Sequence, residues 1–130
     1  MLAKNNIFNI RATKGTTWKG QTGQRKGFVE FETREMAIRA WLVLMRTYRR
    51  RYAATTIGEI VTRFAPPSEN DTRLYVEQMV AWTLIPENME LTQTWHYVLL
   101  AVAMARKETG VAIFAGDVLM AMERYDIKIV

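Results

Sequence analysis

Residues 33–50 read TREMAIRAWLVLMRTYRR, and their pattern decides the fold class. Thr33 suits a helix N-cap, because its hydroxyl can accept one of the orphan N–H groups of a first turn. From Met36 to Met45 the residues are apolar nearly all the way round, with only Arg39 charged. A helix apolar on every side is one that other elements surround. The segment is therefore predicted to run as a central helix to about Arg50. Its end, RTYRRRY (46–52), puts cations where the helix dipole favours them. These arginines read either as a solvated helix end or as a phosphate site.

Working outward, four shorter helices follow. TIGEIVTRF (56–64) opens at Thr55 or Thr56, and APPSEN (65–70) breaks the pattern at Pro66 and Pro67. TRLYVEQMVAWTL (72–84) takes Asn70 or Asp71 as cap and stops before Pro86. TQTWHYVLLAVAMARKE (92–108) opens at Thr92 and closes on Gly110. AGDVLMAMER (115–124) is the last, and DIKIV (126–130) reads as a strand or an extended tail. On the other side, residues 12–27 carry Gly15, Gly20, Gly23 and Gly27 and read as loops and turns with one weak hairpin. GFVEFE (27–32) alternates as a strand should, with Val29 and Phe31 on one face and Phe28, Glu30 and Glu32 on the other. The expected fold is mainly α with a small β element near the N-terminus, in one domain over residues 1–130.

Composition removes several classes of function. Hydrophobic residues make up 49% of the chain, enough for a core, so disorder is not expected. There is no Cys and one His, His96, which excludes disulfides and argues against a zinc site, a metal cofactor or a Ser-His-Asp triad. His96 itself reads as structural. No apolar stretch is long enough to span a bilayer, and no secretory signal is visible. Synthesis in the cytoplasm is expected, with any role outside it reached by another route. The net charge of +5 is uneven: residues 1–65 hold 13 Lys/Arg and 4 Asp/Glu, residues 66–130 hold 5 and 9. A basic half suits an anionic partner, such as nucleic acid or bacterial cell wall, or serves solubility alone.

Three stretches carry candidate chemistry. MARKETG (104–110) puts Glu108 in the last turn of an apolar helix, on one face with Ala101, Met104 and Ala105. Burial and the negative end of the dipole favour a neutral carboxyl there, and glycosidic cleavage needs a protonated acid. The plainer alternative is a solvent-facing Glu beside Arg106 and Lys107. ENDTRLYVEQMV (69–80) offers Tyr75, either a core residue or a hydroxyl aimed into a cleft. KNNIFNIRA (4–12) sets Asn5, Asn6 and Asn9 among Ile7, Phe8 and Ile10, with Arg11 next and Trp18 beyond. It reads as one wall of a polar cleft whose preceding element is missing. Asn amides both donate to and accept from sugar hydroxyls, and Trp stacks on sugar faces. The same asparagines equally suit turns and caps.

The first two-thirds of the chain resembles a family of small phage and prophage proteins, some described as virion structural proteins and some as cell-wall lytic ones. The shared motifs are NNIFNIR (5–11), WKG (18–20), GFVEF (27–31), AIRA (37–40), TIGEI (56–60) and APPSENDTRLY (65–75). The chain departs from that family at Ile7-Phe8, where Pro-Gly is usual, and at Ala37, usually Gly. More distantly, NNIFNIRA resembles a segment of bacterial glucosaminidases. NDTRLYV resembles the E-T-x-x-Y-V signature of lytic transglycosylases, with Asp71 in place of Glu. ETG (108–110) resembles the E-S-G that carries the catalytic acid of both groups. The order differs, because in those enzymes the Glu helix precedes the Asn-rich segment.

Together these resemblances imply a circularly permuted lysozyme-like domain acting on peptidoglycan. Glu108 would be the acid, and Glu30 or Glu32 the second carboxylate of a hydrolase. Asn6, Asn9, Arg11, Trp18, Tyr75 and Thr109 would bind substrate. The expectation has a geometric core, that Glu108 stands close to Asn6, Asn9 and Tyr75. Two rivals stand beside it. One is a non-catalytic, self-associating virion or wall-binding protein on the same scaffold. The other, a nucleic-acid module, ranks last, because no aromatic-basic interleaving is visible.

Overall fold

The hydroxyl of Thr33 accepts the N–H of Met36 and starts α1 (Arg34–Tyr52) in the computed structural model, which describes residues 2–130. Ala37, Ile38, Ala40, Trp41, Leu42, Met45 and Tyr48 of this helix are buried. The helix is central, as its pattern requires. The ring of Phe8 stacks on Trp41, with centroids 5.4 Å apart, and both residues are fully buried. Such a pair contributes about 0.5–1.5 kcal/mol beyond its area. It fixes the N-terminal segment to the core.

The β element is a hairpin of β1 (Gln21–Arg25) and β2 (Phe28–Phe31), paired antiparallel with an irregularity between Gln21 and Gly23. Residues 12–27 supply one strand of it, β1, and hold no hairpin of their own. Its two-residue turn, Lys26-Gly27, has positive φ at both positions (50° and 85°), the form that matches strand twist. Val29 and Phe31 are fully buried, while Phe28 and Glu30 face the other way.

Residues 4–12 lie along the other edge of β2. Val29 N–H donates to Ile10 O, Phe31 N–H to Lys4 O, and Ala12 N–H to Gly27 O. Two asparagines secure this segment. Asn5 Nδ2 donates to Phe31 O and Glu32 O. Asn6, 2% exposed, donates from Nδ2 to Ile10 O and Val29 O and accepts Ile10 N–H at Oδ1. Its amide is used up inside the protein, so Asn6 stands behind the wall it was expected to line.

The remaining helices are α2 (Ile57–Phe64), α3 (Thr72–Thr83), α4 (Thr94–Thr109) and α5 (Ala115–Arg124). Thr56 and Glu59 form a capping box on α2, and Asp71 Oδ1 caps α3 by accepting Leu74 N–H. α2 packs on α3, α3 on α4, α4 on α5, and α5 returns to α1. Side chains from the N-terminal segment, the hairpin and all five helices join one hydrophobic cluster. Ile127 and Ile129 are buried in it from a tail that forms no regular element, so DIKIV is not a strand, and it begins in a turn at Asp126.

α4 starts two residues later than Thr92 would place it, for a visible reason. The acceptor at its N-terminus is not a threonine hydroxyl but the His96 ring, whose Nδ1 accepts the N–H groups of Thr92 and Gln93, each at 3.1 Å. A protonated ring would turn a donor toward two donors. Burial pushes the His96 pKa below its ordinary 6.5. The unfolded chain therefore takes up this proton first as pH falls, so the contribution is full above 6.5 and is lost below it. We expect His96→Ala to cost about 1–2 kcal/mol near neutral pH. It should also flatten the acid slope, as read from denaturant melts at about pH 7.5 and about pH 5.

Candidate functional site

The C-terminus of α4 meets the N-terminal segment. Gly110 takes the left-handed conformation (φ 73°) that ends the helix, leaving the last carbonyls in need of donors. Asn9 supplies one. Its Nδ2 donates to Glu108 O at 3.1 Å and to Glu108 Oε1 at 3.2 Å. Asn9 itself is left-handed (φ 52°), a conformation asparagine tolerates well. Thr109 Oγ1 donates to Ile7 O at 2.8 Å, with Ala105 O at 3.2 Å.

The second oxygen of Glu108 is also engaged. Tyr75, on the buried face of α3, donates its hydroxyl to Glu108 Oε2 at 2.7 Å. Tyr75 is thus both core residue and polar partner. Burial raises its pKa, and the neighbouring Glu108 charge raises it further. Cations lie over aromatic rings across the same helix pair, Arg106 on Trp82 at 3.9 Å and Lys107 on Tyr75 at 5.6 Å.

Glu108 opens onto a cleft of about 650 Å³ that Asn9, Arg11, Trp18, Phe28, Tyr48, Arg63 and Asn70 also line. Arg11 lies over the Phe28 ring at 5.2 Å and pairs with Glu69 at 3.5 Å. Trp18 is half-buried on one wall. Asn9, Arg11, Trp18 and Glu108 therefore share one cleft, with Tyr75 and Thr109 bonded at its edge. Glu30 and Glu32 are not among its lining residues. Glu30 Oε2 accepts Lys4 N–H at 3.0 Å, and Glu32 is exposed.

The sequence reading missed part of the wall. Leu44, Thr47 and Tyr48 of α1 line the cleft, and their i, i+3, i+4 spacing marks them as one face. That face was hidden inside a helix apolar all round. Tyr48 has its pKa pushed up to about 12, by burial first, against the opposing charge of Arg63.

Among the described residues no cluster of three His, Cys, Asp or Glu could hold a metal, and no helix is long and apolar enough to cross a membrane.

No family model matches the chain. It is similar to protein P5 of Pseudoalteromonas phage PM2, with 34% identity over 113 residues, covering 84% of this chain and 70% of that protein. The chain belongs to the family of that phage protein. The phage affiliation expected from the motifs therefore holds.

We expect Tyr75→Phe to cost about 0.5–1.5 kcal/mol, the usual net range for a hydrogen bond. Paired with Glu108→Gln in a double-mutant cycle, it should show coupling rather than additivity. Because Tyr75 keeps its proton in the fold, stability should also fall as pH rises above 10.0, and less steeply in Tyr75→Phe.

Proposed function

We propose that this protein cleaves the glycan strands of peptidoglycan, with Glu108 as the general acid of a permuted lysozyme-like site. The observation that carries the reading is the meeting of three sequence-distant groups. Asn9 and Tyr75 each donate to one Glu108 oxygen, and the carboxyl faces a cleft that also holds Trp18 and Arg11. The chain order is reversed relative to lysozyme-like enzymes, yet the Glu helix and the Asn-rich segment lie against each other. That adjacency supports permutation.

The lining favours one of two chemical routes. A hydrolase needs a second carboxylate, about 5–9.5 Å from the first depending on stereochemistry. Glu108 is the one carboxylate among the residues lining this cleft. A transglycosylase needs no second one. Glu108 protonates the glycosidic oxygen as the bond to the anomeric carbon breaks. A hydroxyl of the same sugar then attacks that carbon and returns its proton to the Glu108 carboxylate. No water is consumed, and the product carries an anhydro end. Asn9, Tyr75 and Thr109 hold the acid in place, Trp18 stacks on a sugar face, and Arg11 donates to hydroxyls. Glu30, bonded to Lys4 N–H, is assigned to the fold.

A second reading is a wall-binding virion protein on a scaffold that has lost turnover. Two observations favour it: both Glu108 oxygens are already hydrogen-bonded, and Asp71, where transglycosylases carry Glu, serves as a helix cap. On either reading a carrier or the particle itself delivers the protein to the wall.

Turbidity clearing of purified peptidoglycan by wild type and Glu108→Gln decides between them. We expect the variant to lose about 10²–10⁴-fold in rate with its fold intact. Products should be lighter by one water than hydrolytic ones in mass spectrometry. Equal clearing by both proteins would remove Glu108 from the mechanism.

A further inference from the structure

A second depression of about 650 Å³ lies beside the cleft, lined by Thr56, Gly58, Glu59, Thr62, Glu87 and Asn88 among others, and Arg63 lines both. Its walls are α2 and the loop after α3. They approach closely because α2 carries Gly58: its N–H donates to Glu87 O at 3.2 Å, and a Cβ there would meet the Glu87 side chain at 3.3 Å.

The charges of the two depressions can be sorted by whether they are already bonded. Glu87 takes two hydrogen bonds from the Arg73 guanidinium, at 2.9 and 2.7 Å. Glu59 accepts the N–H groups of Thr55 and Thr56 and the Thr56 hydroxyl. In the cleft, Arg11 pairs with Glu69, and Glu108 is bonded to Asn9 and Tyr75. Arg63 is different. It makes no hydrogen bond or ion pair with any described residue. Its guanidinium carbon lies over the Tyr52 ring, 3.6 Å from the centroid, and the Tyr48 ring is 5.8 Å away. An aromatic face holds a guanidinium in place without consuming its N–H donors, which leaves a pre-oriented fork for a carboxylate.

The ligand that matches is branched: a chain in the cleft, a branch in the neighbouring depression, and a negative charge at the fork between them. We infer that the depression beside the cleft receives the peptide branch of the glycan strand, and that Arg63 binds a carboxylate of that branch. The inference rests on the peptidoglycan reading of the cleft and deepens it. It makes Arg63 a specificity residue, separating peptide-bearing strands from bare ones.

The test is equilibrium binding of soluble glycan strands to Glu108→Gln protein, so that cleavage does not interfere, with and without Arg63→Gln. Three probes are used: strands with their peptides, strands stripped of peptides by an amidase, and chitin oligosaccharides. Loss of a charge-assisted hydrogen bond should weaken binding of peptide-bearing strands about tenfold or more. Binding of chitin should not change. A drop on stripped strands equal to that on peptide-bearing ones would move the contact to the sugar's own carboxylate and overturn the peptide assignment. So would unchanged binding of the peptide-bearing strands. Arg63 is exposed, and circular dichroism with thermal melts checks that its variant folds. Arg63→Lys, which keeps the charge but loses the fork, should recover part of the affinity. Clearing of cell wall by wild type is read separately. No clearing, together with Arg63-dependent binding, would remove the catalytic reading and leave the branch site standing.

Discussion

The Asn9 amide donates to both the main-chain carbonyl and the carboxylate of Glu108, 99 positions along the chain. Most features of the site depend on this bridge. A helix ending in a left-handed glycine leaves carbonyls without partners, and burial makes such a deficit costly. Asn9 removes part of it and orients the carboxylate with the same group. The bridge holds only if residues 4–12 stay in place. They do so because Asn6 is saturated by Ile10 and Val29, and because Phe8 is stacked on Trp41. The two neighbouring asparagines thus divide the work, Asn6 for the segment's own fold and Asn9 for the site.

That division was not legible in KNNIFNIRA. Both residues offer the same side chain, and only tertiary structure decides which amide meets backbone and which meets Glu108. The helices were legible to within a few residues, because capping threonines, Asp71, Gly110 and the prolines punctuate a clear apolar pattern. The start of α4 was not, because a ring nitrogen at His96 replaced the hydroxyl that local rules favour. β1 escaped a firm reading for another reason. QTGQR has little apolar alternation, and it forms a strand because β2 and the Lys26-Gly27 turn hold it there. Glu30 was placed on the correct face of β2, and Glu32 lies just past its end. A face, however, does not say which of its residues border a cavity: Phe28 on that face lines the cleft and Glu30 does not.

The uneven charge of the two halves also takes on a structural meaning. Arg11 pairs with Glu69, Arg49 with Glu90, and Arg124 with Glu35. The first two set a cation of the basic half against a carboxylate of the acidic half, while Arg124–Glu35 runs the other way. The asymmetry is therefore partly answered within the molecule, and a nucleic acid is not needed to explain it. Such pairs are half-exposed and contribute little stability individually. Arg11, paired with Glu69, and Arg63, which makes no ion pair with a described residue, are the two cations that line the cleft.

One carboxylate among the lining residues and one unbonded cation at the shared rim restrict what the cleft can do. A site built for hydrolysis must place a water and a second carboxylate across the sugar from the acid. The residues that line the cleft besides Glu108 include Trp18, Phe28, Leu44 and Tyr48, which give packing surface, and no second carboxylate. Such walls suit a reaction in which the substrate brings its own nucleophile and water is best kept out. Tyr75 fits the same logic. It is buried, keeps its proton, and donates to Glu108. The acid is thus held by groups that do not themselves exchange protons near neutral pH. On the reading proposed above, proton traffic is confined to one carboxyl and the sugar, which is what a single-acid transglycosylase requires.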